Sequence, residues 1–394
     1  MEDVLAGIRV LDFGRYIAGP FCAALLGDLG ADVIRIERRE GGEDRWLQPV
    51  APDGVGALFL AMNRNKRGMT LDPAQPEGRE IVRRLVATAD VVVANLPPEV
   101  LKSLALDLES LRAVQPEIIL TTATAFGLGG PWSHKHGFDG IGQAMCGSVY
   151  LTGEAGHPTR ATVNWVDCGT AAVSAFGTLA ALMARGKRGQ GQQVEASLLR
   201  TAIAFNNAML IEQALAQTNR VAVGNLGIVS APSDLYATRD GWVMVSSVGT
   251  PMFRRWAKLV GATDWLEDPR FADDVGRAAH GAIVSARMRE WVATRTTDEV
   301  LAELESANVP AAPVLSPQQA LAHPHIAAAG LLEAQPYPGL DRAAPIAAPP
   351  VALSATPGRF HRPPPALGEH TDEILGELGY DASAIADLRE RRII

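Results

Sequence analysis

With 394 residues, the chain is long enough for two domains, each with its own core. Hydrophobic residues make up 47% and charged residues 20%, a globular balance that argues against disorder. The net charge of −8 argues against a nucleic-acid partner, which needs a basic face, but allows a small phosphate ligand in a local basic pocket.

Three cysteines, Cys22, Cys146 and Cys168, are too few and too scattered for a disulfide framework or a zinc site. The histidines offer only His134/His136 and His323/His325 as close pairs, with no cysteine or carboxylate pattern around them, so no metal is expected. Nothing at Met1-Glu2-Asp3 has the form of a signal peptide, and a cytoplasmic location is the expectation.

Ile8-Arg9-Val10-Leu11-Asp12-Phe13 reads as a buried strand. A helix opened by Pro20 follows, with Phe21, Ala24, Leu25 and Leu29 on one side, and Gly30 ends it. Asp32-Val33-Ile34-Arg35-Ile36-Glu37 is the next strand, which completes a parallel βαβ crossover. The pattern continues with a helix from Pro76 to Ala89, a strand Val91–Ala94, a short helix near Leu101 and a strand Ile118–Thr121. This predicts an α/β, Rossmann-like large domain with a parallel sheet, whose ligands bind beyond the carboxyl ends of the strands. The first strand leads into Gly14-Arg15-Tyr16-Ile17-Ala18-Gly19-Pro20, which lacks the spacing of a dinucleotide fingerprint. The second ends in Glu37-Arg38-Arg39, two guanidinium groups placed either to meet phosphates or to lie solvated at the surface.

Val163-Asn164-Trp165-Val166-Asp167-Cys168 leads into an uncharged run that reads as a helix from Cys168 to Arg185, about 27 Å long at roughly 1.5 Å per residue. Gly169, Ala171, Ala172, Ala175 and Gly177 let other backbones approach it closely. The run is nearly long enough for a bilayer, but its Ala, Gly, Ser and Thr content favours a buried helix of a soluble protein. The basic, Gly-rich Arg185–Gln192 segment stops it. Asp167, placed at the helix start, is either a simple N-cap or a working carboxylate.

Leu198 to Ala216 reads as a second apolar helix, and residues 218–232 as a linker. A smaller α+β domain, 233–315, opens with a hairpin over Asp234–Val245 turning at Asp240-Gly241. Helices around 252–260, 282–294 and 297–307 follow, and Pro310–Val314 closes the domain. The return segment within 316–394 carries clustered prolines over Leu340–Pro365, an extended belt, and then helical starts at Gly368–Leu375 and Ala382–Arg392.

Several of these stretches together resemble the family III CoA-transferases, the superfamily of formyl-CoA and carnitine CoA-transferases and α-methylacyl-CoA racemase, also called CaiB/BaiF. They are Leu11-Asp12-Phe13, Ala18-Gly19-Pro20 and Leu29–Glu37; Asn65-Lys66-Arg67-Gly68-Met69-Thr70-Leu71-Asp72; and Asp167 with Gly189-Gln190-Gly191-Gln192. Asp268–Phe271, Val309–Val314 and Pro365–Thr371 extend the likeness over nearly the whole chain. The resemblance implies an interlocked homodimer in which both termini of each chain build its large domain. It implies no permanently bound cofactor, coenzyme A and acyl-CoA as substrates together with carboxylic acids, and no membrane or nucleic-acid partner. It places Tyr16, Ile17, Ala18, Arg38, Leu71, Asp72, Asn95, Leu96, His136, Gly137, Phe138 and Asp139 at CoA-contact positions, and Asp167 at the catalytic aspartate. Where many members have Asn-Phe-Arg-Pro-Gly this chain has Asn95-Leu96-Pro97-Pro98-Glu99, and a common arginine is Ser103, with Lys102 beside it as a substitute.

The implied activity is transfer of CoA between carboxylic acids through aspartyl anhydride and aspartyl-CoA thioester intermediates on Asp167. An aspartate at a helix N-terminus is expected to stay ionised at neutral pH. The glycine-rich loop that shields such intermediates in transferases is present only as Gly224-Asn225-Leu226-Gly227. The racemase branch needs a histidine in a Gly-His-Asp segment and a supporting glutamate; here stand Gly137-Phe138-Asp139 and, at the second place, Gly249 or Thr250. Racemase and non-catalytic CoA-binding relative are therefore the alternatives. Trp46 either walls an acyl pocket or packs at the surface, and Phe138 opposite Asp167 would favour small or apolar acyl groups.

Overall fold

The computed structural model describes residues 3–394; Met1 and Glu2, part of the stretch where no leader is expected, lie outside the described residues. The chain divides into two compact units, one of residues 3–148, 160–218 and 328–394, the other of 149–159 and 219–327.

The first unit contains β1 (Arg9–Asp12), α1 (Ala18–Asp28), β2 (Asp32–Glu37), α2 (Ala57–Met62), β3 (Lys66–Thr70), α3 (Pro76–Ala87), β4 (Val91–Ala94), α4 (Pro98–Ser103), α5 (Leu108–Val114), β5 (Ile119–Thr124) and α6 (Asp139–Met145). After α7 (Ser148–Leu151) and the short strands β6 (Gly153–Glu154) and β7 (His157–Pro158) come α8 (Trp165–Arg188), β8 (Gln193–Ser197), α9 (Leu198–Phe205) and α10 (Asn207–Ala216). Six strands form a parallel sheet in the order β3-β2-β1-β4-β5-β8, the Rossmann-like architecture expected. β3 and β8 are additions to the strands read from the sequence. In register, Arg9 lies opposite Asp32 and Val10 opposite both Val33 and Val91.

The strands read as apolar runs because both sheet faces are covered. Leu11, Ile34, Val92 and Leu120 face a cluster holding Ile81 and Leu85 of α3, while Val10, Val33, Val91, Val93 and Ile119 face Cys22 and Leu26 of α1 and Ala171 and Ala175 of α8. α8 begins earlier and ends later than expected, and by length and composition alone it is apolar enough to cross a membrane. Its buried stripe of Thr170, Ala171, Ser174, Ala175, Thr178 and Ala181 makes it a core helix of this unit. It ends at Gly189, which takes the left-handed conformation (φ 64°) that closes a helix. The expected single helix Leu198–Ala216 is broken at Asn206, whose side-chain amide donates to the Cys146 carbonyl at 2.7 Å.

From residue 328 onward the return segment belongs to this same unit, while 316–327 belong to the other. Residues 332–335 pair antiparallel with 344–347, so here the segment doubles back as a hairpin. Its continuation covers the exposed edge of β3: the Gly68 N–H donates to His370 Nδ1, the His370 N–H to the Gly68 carbonyl, and the Thr70 N–H to Thr371 Oγ1. The second unit is built on a three-stranded antiparallel sheet of residues 233–237, 242–246 and 311–313, with Tyr236, Phe253, Trp256, Phe271 and Met288 in its core. It takes in 219–232 and 149–159, so it is wider than the 233–315 read from the sequence.

Candidate active site

The strand order reverses between β1 and β4, and a cavity of about 470 Å³ opens at the carboxyl ends of β1, β4 and β5. Its walls are Arg15, Tyr16, Ile17 and Ala18 after β1, Asn95–Pro98 and Val100 after β4, Ala123–Ala125 at the end of β5, Ser133–Phe138, Asp167 and Leu198. Of the residues anticipated from the sequence, it brings together Tyr16, Ile17, Ala18, Asn95, Leu96, His136, Gly137, Phe138 and Asp167. Arg38 and Leu71 line a smaller recess of about 60 Å³, which shares Arg15 and Leu96 with the larger cavity. Asp72, Lys102 and Asp139 line neither. Lys102 is exposed on α4, and Asp72 accepts from the Ala74 N–H at 3.0 Å.

The floor under Gly14–Ala18 is a charged network with almost no access to water. Asp12 accepts from the Gly14 N–H at 2.8 Å and pairs with Lys66 Nζ at 2.7 Å. Lys66 donates as well to the Pro20 carbonyl and Asn63 Oδ1, so all three of its N–H groups are used. Arg35 joins Asp12, Glu37 and Asp44, and Arg45 pairs with Glu37. Burial works to raise the Glu37 carboxyl, but Arg35 and Arg45 outweigh it and carry the pKa down to about 2. Burial likewise lowers Lys66 to about 8 against the pull of Asp12. On this floor, Asn95 Oδ1 accepts from the Arg15 N–H and its Nδ2 donates to the Arg15 carbonyl, both at 2.7 Å. Its amide is thereby committed to the backbone. Tyr16, next in the chain, has φ +62°, an uncommon and strained setting for an aromatic residue, and its ring stands edge-on to Phe138 at 5.4 Å.

Asp167 is the third residue of α8 rather than its N-cap. The N-cap, Asn164, makes no side-chain capping bond. The cap comes instead from Asp139 at the start of α6, whose Oδ1 accepts from the Val166 N–H at 2.8 Å and the Asp167 N–H at 3.1 Å. Asp139 is buried, and its Oδ2 accepts from Gln143 Nε2 at 2.5 Å. It is therefore part of the helix scaffold and absent from the cavity lining. Burial and the neighbouring Asp139 charge push the Asp167 carboxyl up to about 7, while the Asp139 N–H acts weakly in the opposite sense. The expectation of a helix terminus holding Asp167 charged is thus corrected: the amides available for that are bonded to another carboxylate.

Arg15 and Lys135 bring positive charge to the same cavity, His134 adds an imidazole, and none of the three was anticipated. Arg15 lies in the segment after the first strand that the sheet argument singles out. Lys135 packs on Trp132, 3.7 Å from its ring centre. Phe138 lines the cavity and is 62% exposed. Trp46 packs beside Gly41 and Gly54 and does not line it. Gly224 and Gly227 donate to the Gly153 and Ser233 carbonyls within the second unit. Among the described residues no cluster could hold a metal ion.

The sequence profile of CoA-transferase family III matches residues 5–371. The chain belongs to this family. This family III CoA-transferase is 35% identical to the succinate–glutarate CoA-transferase of Agrobacterium fabrum over 95% of both chains. It is 34% identical to the succinyl-CoA–D-citramalate CoA-transferase of Chloroflexus aurantiacus over 99% of this chain and 98% of that one. In structure it is similar to a CaiB/BaiF family protein from Brucella suis, with 32% identity, a TM-score of 0.84, and coverage of 96% of this chain and 100% of the other.

Proposed function

We propose that this transferase moves CoA between short dicarboxylic acids, with Asp167 as the covalent carrier. The observation that carries the reading is Asp167 itself. It is a half-buried carboxylate on the wall of the strand-end cavity, with no side-chain donor bonded to it among the described residues and an affinity for protons raised to near neutrality. A carboxylate stripped of water and of neutralising partners is a better nucleophile than a solvated one.

In this scheme an Asp167 oxygen attacks the thioester carbonyl of acyl-CoA, and the tetrahedral centre collapses with loss of CoA thiolate to leave an aspartyl–acyl anhydride. The thiolate then attacks the Asp167 carboxyl carbon and releases the first acid. An acceptor carboxylate attacks the resulting aspartyl-CoA thioester, and the freed thiolate takes the acceptor's acyl carbon, restoring Asp167. No net proton or electron is exchanged. Arg15, His134 and Lys135 suit an anionic ligand, and the named activities of the relatives, succinyl-CoA with glutarate or citramalate, supply the dicarboxylate class. Racemisation would need an acid–base group where Phe138 stands.

The test is oxygen transfer. With succinyl-CoA and glutarate labelled with ¹⁸O in its carboxylates, label should pass through Asp167 into released succinate over repeated turnovers, and Asp167→Asn should abolish exchange. Unlabelled succinate from an active enzyme would overturn the scheme. We also propose that the family's interlocked dimer forms here, because α8 and α10 leave the large apolar side chains Phe176 (74%), Met183 (70%) and Leu215 (82%) exposed, available to a second copy. Native mass spectrometry of the wild type, expected at twice the chain mass, checks it.

A further inference from the structure

The Asp139–Asp167 pair is unusual for its division of labour. Two carboxylates stand at one helix start, and the one outside the helix takes the helix's amides. Isolated helix N-termini bind anions because their first N–H groups lack partners. An aspartate in the first turn is ordinarily neutralised by them. Here the N–H groups of residues 166 and 167 both point at Asp139 Oδ1. Gln143, one turn further along α6, bonds Asp139 Oδ2, accepts from the Ala161 N–H at 2.9 Å, and so ties the segment entering α8 to the same carboxylate. Gly142 lets the two helices meet at this point, since a Cβ there would lie 2.8 Å from Val166 Cγ1.

We propose that Asp139 is a positioning residue for Asp167: it fixes the start of α8 by accepting the first amides and, by occupying them, keeps the Asp167 carboxylate from being satisfied by its own helix. The inference rests on Asp167 being the carrier. The carboxylate is held in place by the helix and left with its charge available to the substrate. The other ionisable groups on elements around the pair are Cys168, Cys146 at the end of α6, Arg160, Arg200 on α9, and the cavity residues Arg15, Tyr16, His134, Lys135 and His136. None donates to either carboxylate. Burial, and after it the nearby Asp167 and Asp139, push the Cys168 thiol up to about 11.

Asp139→Asn separates this role from simple capping, because asparagine caps a helix about as well as aspartate but carries no charge. Labelling with a carbodiimide and glycine ethyl ester modifies protonated carboxyls. Its pH midpoint at Asp167, read by peptide mass spectrometry, does not depend on turnover. The wild-type midpoint should lie near neutrality, and Asp139→Asn should lower it by at least about one unit, the scale of a close like-charge pair. The same variant should lose on the order of tenfold in kcat, with the acid limb of kcat moving to lower pH and KM for acyl-CoA little changed. An unmoved midpoint and an unmoved acid limb would overturn the proposal. Should Asp139→Asn fail to fold, the wild type decides alone: a midpoint below about pH 5 means that Asp167 is already neutralised and the proposal falls. If transfer survives Asp167→Asn, the carrier assignment fails, while labelling still reports on the pair.

Discussion

Asn95 grips Arg15 through both ends of its amide, with Oδ1 and Nδ2 each 2.7 Å from a backbone partner. This bond pair holds the turn in which Tyr16 adopts φ +62°. Strain of this kind persists only where surrounding contacts enforce it. Asn95→Ala should therefore relax the 14–18 loop, raise KM for acyl-CoA by roughly tenfold and cost about 1–3 kcal/mol of stability. Isothermal titration with CoA and a urea melt check the two effects separately.

Asp167 stores instability at working pH. Its folded-state pKa of about 7 lies above the usual carboxylate value near 4, so the folded state holds the proton more tightly than the unfolded chain. Stability is then greatest below about pH 4 as far as this group is concerned, and falls as pH rises towards 7. The full shift corresponds to about 4 kcal/mol, and partial solvent access reduces it to about 1–3 kcal/mol. Asp167→Asn should raise the melting temperature at pH 8 by several degrees and change it little at pH 4.5. Scanning calorimetry at the two pH values measures the difference.

Glu37 works in the opposite direction. Burial opposes its charge, yet Arg35 and Arg45 hold its pKa near 2, so its contribution is present above about pH 4.5 and is lost as pH falls towards 2. Glu37→Gln leaves two buried guanidinium groups short of a counter-charge and should cost about 3–5 kcal/mol. Denaturant melts at pH 7 and pH 3 should show a large gap between variant and wild type at the first, and a smaller one at the second.

Gly142→Ala tests how finely the start of α8 is placed. The new methyl meets Val166 Cγ1 at 2.8 Å, a distance at which the Val166 side chain or the two helices must shift. Overpacking of this size costs about 1–3 kcal/mol. On the proposed scheme, in which Asp167 attacks the thioester, displacing it should reduce kcat by tenfold or more, since catalysis is sensitive to small errors in position. A variant that folds stably and keeps full kcat would show that the α6–α8 contact does not set the geometry of the carrier.

The alternation of Val10/Leu11, Val33/Ile34 and Ile119/Leu120 made the sheet legible, because each strand is buried on both faces. β3 was hidden because Lys66 and Arg67 look like surface charges. They are buried only because Asp12 and Asp32, far off in sequence, meet them. β8 is an edge strand whose Gln193-Val194-Glu195 carries too little apolar pattern to announce itself. The loop after the first strand was legible from strand-end position, and Asp167 from its place at a helix start together with the family motif. What Asp139 does was not, since its bonding partners lie 27 and 28 residues away and depend on how α6 crosses α8.

The apolar cluster on one face of the large sheet is closed by Ile374, Leu375, Ile385, Leu388, Ile393 and Ile394, which pack with Leu11, Ile34 and Val92. A ribosome delivering about 5–20 residues per second would leave that face uncovered for tens of seconds after the first strands emerge. Expression of this enzyme should accordingly lean on chaperones that bind exposed nascent sheet, and should suffer most from premature termination within the last two helices.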